Sequence, residues 1–181
     1  MLHSLVTSRR FNFIAFQVGW FACVLGAASP HQSAGPVLVA ILLALQVRSA
    51  ENPPTLARWL LTVGLLGAVL DSLLALAGLF AFQPGFLPTW TCPPWLFFLW
   101  MIFGSTLPSS LAWLTEHPRL AAGLGAAGGP LSYYAGAELG ALRLSEPPRL
   151  SLLILACLWA LLLPGLFRLM GKLISSRAAA A

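Results

Sequence analysis

An aspartate, Asp71, stands near the middle of the run from Trp59 to Phe82, whose other residues carry no charge and are mostly apolar. The run exceeds the ~20 helical residues that cross a hydrocarbon core. Lipid offers the backbone no hydrogen-bond partners, so a spanning segment must satisfy its own N–H and C=O groups, and an α-helix does so within one segment. A carboxylate at its centre costs about 2.5–3.5 kcal/mol on insertion scales, which demands a partner, a proton or water. The run therefore predicts a bundle of membrane helices and marks one place to look for chemistry.

Five further apolar segments accompany it: Phe11 to Ser29, Ala34 to Val47, Trp95 to Leu114, Ala121 to Arg143 and Leu150 to Met170. The basic start at Ser8-Arg9-Arg10 and the small residues near Ser29 resemble a secretory signal, but Asn12, Gln17 and Trp20 suit a retained first helix better. Only 8% of residues are charged, against about 25% in soluble domains, and those charges sit singly at segment ends instead of forming a nucleic-acid patch. With the N-terminus inside, Arg9, Arg10, Arg48, Arg58, Arg119, Arg168, Lys172 and Arg177 face the cytoplasm and only Arg143 and Arg149 lie outside. That bias sets orientation. The expectation is an all-α polytopic membrane bundle of six transmembrane helices with both termini cytoplasmic, one domain over residues 1–177 and a short tail at 178–181.

Polar residues inside these segments are the candidates for ligand binding: Asp71, Tyr133, Tyr134, Glu138 and Gln17. Gly128, Gly129 and Pro130 predict a two-piece fifth helix, since glycine weakens a helix and proline supplies no N–H. Beyond the break, Tyr134 and Glu138 fall at i and i+4 on one face, while Gly125, Gly129, Gly136 and Gly140 form a stripe that admits a neighbouring backbone. Depth counting places Asp71 and Glu138 in the same, outer half of the membrane, with Arg143 a competing partner for Glu138. Gln17 and Asn12 also read as interhelical hydrogen bonds. Cys23, Cys92 and Cys157 have no metal spacing, and His3, His31 and His117 fall in termini or connectors. The sequence thus predicts no metal, no cofactor and no catalytic residue, and it carries no nucleophile elbow or phosphate loop. No internal repeat stands out.

Three stretches, FNFIAFQVGWFACVLGA, PPWLFFLWMIFGSTLPSSLAWL and GGPLSYYAGAELGAL, together resemble a family of small bacterial inner-membrane proteins classed only as domain of unknown function twenty-eight seventy-eight. The resemblance implies an inner-membrane location. Family members also accompany fatty-acid-modifying enzymes, which implies a lipid-related role. The functional expectation is a non-enzymatic protein that binds a lipid or lipophilic small molecule in a cavity bordered by Asp71, Tyr134 and Glu138. Membrane lipids and other membrane proteins are its expected partners, and nucleic acid is not. Two alternatives are the substrate-binding component of a permease, which needs an energy-coupling partner, and an intramembrane lipid-modifying enzyme using Asp71 and Glu138 as acid and base.

Overall fold

A computed structural model describes residues 6–84 and 87–178, with side chains to residue 173. Among these, six α-helices run α1 (Arg9–Ala27), α2 (Ala34–Arg48), α3 (Pro53–Leu76), α4 (Pro94–Thr106), α5 (Pro118–Glu138) and α6 (Pro148–Ala178). A short 3-10 helix, Ala112–Glu116, links α4 to α5, and two three-residue strands, β1 (Phe80–Phe82) and β2 (Leu142–Leu144), pair antiparallel. Apart from Ala178, the tail expected at 178–181 lies outside the described residues. Helices α1, α3 and α6 are long and apolar enough to cross a membrane. Large apolar side chains point outward along all three: Phe13, Ile14 and Phe21 on α1, Leu65 and Val69 on α3, and Leu161, 78% exposed, on α6. Polar Asn12 and Asp71 are buried instead. This inverted pattern is the one expected of helices that face lipid.

The third apolar run does not stay helical to Phe82, because α3 stops at Leu76. Gly78 adopts φ +79°, its N–H bonds to the Ala75 carbonyl, and the Leu79 N–H bonds to the Leu74 carbonyl. This is a Schellman stop. Helix α5 ends in the same way at Gly140, φ +81°, with Gly140 N–H on Ala137 and Ala141 N–H on Gly136. Each stop feeds one strand of the ribbon, so the far ends of α3 and α5 meet. The sequence placed Gly140 in a helix stripe; the structure uses it as a stop.

The fourth apolar run is also not one helix to Leu114. Pro108 has no N–H for the Gly104 carbonyl, so α4 closes at Thr106 and the freed carbonyl accepts from Trp59 Nε1 at 2.8 Å. The next carbonyl, Ser105, accepts from Asn12 Nδ2 at 3.1 Å. Asn12 also donates to Gln46 Oε1 at 3.0 Å and accepts from Ser110 Oγ at 2.8 Å. One amide thereby ties α1 to α2 and α4. Asn12→Ala is expected to cost about 1–3 kcal/mol, because buried partners lose their bonds. Gln17→Ala, at an exposed position, should leave the melting temperature in detergent unchanged.

The predicted break in α5 is absent: Pro130 lies inside one continuous helix. A proline forfeits one backbone bond, whereas opening the helix in an apolar layer would orphan several groups at once. Helices α1 to α4 pack on one another, and α5 packs along α6. A cleft separates these two groups, closed at one end by the ribbon.

Candidate functional site

Asp71 sits at that junction, 0% exposed. Trp100 Nε1 of α4 donates to its Oδ2 at 2.6 Å, and the Tyr133 hydroxyl of α5 donates to its Oδ1. Both carboxylate oxygens therefore have partners, one from each helix group. Gly67, one turn before Asp71, leaves room for the Trp100 indole, which a Cβ at that position would strike. Gly129, one turn before Tyr133, does the same for the Trp159 indole of α6. The two indoles then stack, with centroids 5.2 Å apart and planes 7° apart. Trp159 Nε1 lies by the Tyr133 hydroxyl but makes no hydrogen bond of good geometry among the described residues.

These pairs expose an internal repeat that the sequence reading missed. Gly67, Asp71 and Gly78 recur 62 residues on as Gly129, Tyr133 and Gly140, and β1 recurs as β2. The ribbon is centred on Ala81 opposite Arg143, which are equivalent positions, as a twofold relation requires. The capping side chains obey it too: Gln83 Nε2 donates to the Gly140 carbonyl and Ser145 Oγ to the Gly78 carbonyl. From position 67 to 83, only Gly67/Gly129, Ala75/Ala137 and Gly78/Gly140 are identical between the copies. What repeats is where a glycine seats a tryptophan and where a glycine ends a helix.

A cavity of about 330 Å³ occupies the cleft on the α1 side of the stack. Trp20 of α1, Trp95, Trp100 and Phe103 of α4, Tyr133 of α5 and Trp159 of α6 wall it. Leu124, Gly128 and Ser132, four residues apart along α5, line it and are exposed, so they mark its mouth on the lateral surface. Asp71 does not line the cavity. It stands behind Trp100 and Tyr133 and fixes both.

Of the residues singled out from sequence, Asp71 and Tyr133 meet. Tyr134, 46% exposed, and Glu138, also exposed, point away from Asp71, because a helix turns about 100° per residue and Tyr133 takes the inward face. The cavity is bordered by Trp100, Tyr133 and Trp159, and Asp71, Tyr134 and Glu138 do not line it. Gln17 is exposed, and Asn12 makes the interhelical bonds. Trp100 and Trp159 were missed; a glycine three or four residues from a polar residue on the facing helix is the signal that finds them. Cys92, in the connector before α4, has its thiol pushed up by burial and then by the Asp71 carboxylate. Among the described residues no group of three metal-ligating side chains occurs.

The family described as "Protein of unknown function (DUF2878)" matches residues 10–165. No curated protein and no solved structure matches the chain.

Proposed function

The chain belongs to the DUF2878 family of proteins of unknown function, and because membership supplies no activity, we propose from the site that it binds a lipid or lipophilic small molecule in the lateral cavity. One observation carries this reading: an aromatic cavity open to the lipid-facing side, with Tyr133 fixed in its wall by a buried carboxylate. Its volume falls in the small-ligand range, about 300–1,000 Å³. The Tyr133 hydroxyl and Ser132 are its polar handles, enough to orient one polar group on an otherwise apolar guest. Asp71 is a positioning residue here.

Gly128→Leu tests the cavity directly. A Cβ at Gly128 meets nothing within 4 Å, so the side chain enters the mouth without a backbone clash, and replacing a mid-helix glycine gains about 0.5–1 kcal/mol. Organic extracts of wild-type protein purified in mild detergent should contain a stoichiometric lipophilic compound by mass spectrometry. The variant should lose it while melting no lower. Equal retention in both would reject the cavity as the binding site.

The orientation proposed is six passes through a bacterial inner membrane with both termini cytoplasmic. Helices α2 and α4, 15 and 13 residues long, reach only about 22 and 20 Å at ~1.5 Å per residue, so their connectors would complete each crossing of the ~30 Å core. Two features support the reading. The ribbon joins the ends of α3 and α5, and a Cβ at Gly140 would lie 3.5 Å from Ala28, which gathers the α1–α2, α3–α4 and α5–α6 connectors at one end. Asn12, Gln46 and Ser105 gather the opposite ends, where the positive charges concentrate. Alkaline phosphatase fused after Gln83 or Ser145 should be active and after Ala50 or Glu116 inactive. The reverse pattern would overturn the orientation.

A further inference from the structure

The second cleft lies at the opposite end of the bundle from the ribbon and shares nothing with the aromatic cavity. It spans about 710 Å³ where α1 and α3 begin and α2 and α4 end. Val6, Leu56 and Trp59 give it an apolar side, and Gln46, Ser49 and Ser109 a polar one, with Glu51 in its lining. Gln46 is only 8% exposed. Its Oε1 is held by Asn12, but its Nε2, a two-hydrogen donor, has no partner among the described residues. A buried amide donor left unpaired is unfavourable, so a ligand oxygen that accepts from it gains affinity. Donation into the cleft requires this amide to turn about its terminal torsion, which is broad in glutamine.

We propose that this cleft takes an amine-bearing phosphodiester, the headgroup chemistry of an aminophospholipid. The Gln46 amide donates to a phosphate oxygen, and the ammonium of the same headgroup donates to the exposed carboxylate of Glu51. An anion alone is disfavoured by Glu51, and a cation alone leaves Gln46 unpaired; a zwitterion meets both. Exposed Arg9, Arg10, Arg48 and Arg58 belong to the same end of the bundle, where basic residues attract phosphate-bearing lipids. Val6, Leu56 and Trp59 then meet the lipid's glycerol and first methylenes. The location at headgroup depth rests on the membrane-spanning reading; the chemistry does not depend on what occupies the aromatic cavity.

Two substitutions separate the contributions. Gln46→Glu keeps the shape and the acceptor for Asn12 but replaces the free donor with a carboxylate oxygen. Glu51→Gln alters an exposed side chain and leaves the packing intact. Native mass spectrometry of the full chain, titrated with phosphatidylethanolamine, phosphatidylcholine or phosphatidylglycerol, reads occupancy. Wild type should bind the ethanolamine lipid at least tenfold more tightly than the choline lipid, whose quaternary ammonium has no N–H. Gln46→Glu should weaken ethanolamine-lipid binding at least tenfold, and Glu51→Gln, which keeps an acceptor oxygen but loses the charge, should weaken ethanolamine-lipid binding and narrow the preference over choline. Free phosphoethanolamine distinguishes the source: displacement of the lipid at millimolar concentration assigns the site to the headgroup alone, and no displacement assigns it to the membrane lipid. Binding without headgroup preference, or unchanged binding in Glu51→Gln, overturns the proposal, and the latter variant decides should Gln46→Glu not fold.

Discussion

Gly125→Leu should prevent the protein from folding, with no monodisperse peak on size exclusion in detergent. A Cβ at Gly125 would run into the Trp159 carbonyl oxygen and lie 3.2 Å from Leu163 Cβ. The first obstacle is backbone of α6, which cannot rotate away as a side chain can. Among the described residues the most extensive helix–helix contact is the one between α5 and α6, and small residues let two helices approach this closely. Overpacking typically costs about 1–3 kcal/mol and occasionally more; prying apart this pair belongs to the upper end. Gly129→Ala should be milder than Gly125→Leu yet still destabilising, because its Cβ strikes the Trp159 indole and forces it off Trp100. Gly128→Leu, beside it on the open face, should fold normally. Three neighbouring glycines with three different outcomes test the packing register of α5. Equal tolerance at Gly125 and Gly128 would mean that α5 is rotated from the position described.

Asp71→Leu should cost about 2–6 kcal/mol, since it strips the partner from both the Trp100 N–H and the Tyr133 hydroxyl and each orphaned buried donor carries about 1–3 kcal/mol. Asp71→Asn should cost far less. Its Oδ1 can accept from Trp100, and its Nδ2 can donate to the Tyr133 hydroxyl, which reverses from donor to acceptor. Tyr133→Phe in the Asp71→Asn background should therefore cost less than in wild type, where a full carboxylate loses a donor. Thermal melts of the four proteins form a double-mutant cycle. No coupling between positions 71 and 133 would show that the two side chains do not touch.

The bundle was legible because apolar run length and charge placement depend on one physical variable, transfer from water to lipid. Helix ends were less so. Gly78 lies inside an uninterrupted apolar run, LLALAGLFAF, where hydropathy is blind to a left-handed residue that stops α3. Pro130 misled in the other direction: its chemistry favours a break, but the environment makes a break costlier than one lost bond. Asp71 announced itself by the cost of burying a charge. Tyr133 and Tyr134 could not be told apart by composition, because the choice between them is about 100° of helix rotation set by how Gly125 and Gly129 seat on α6. The repeat was invisible for a related reason. It preserves small-next-to-large geometry and helix stops, with the polar anchor changed from Asp71 to Tyr133.

The cleft between the two helix groups is proposed to hold a lipophilic guest against the tryptophan stack. A cryo-electron microscopy structure of the protein extracted with native lipid into nanodiscs tests this. Elongated non-protein density is expected between Trp100, Trp159 and Gly128, with a polar end near Tyr133, and that density should be lost in Gly128→Leu. A wild-type cleft collapsed shut, with Trp20 and Phe103 packed onto α5 and no density between them, would contradict it.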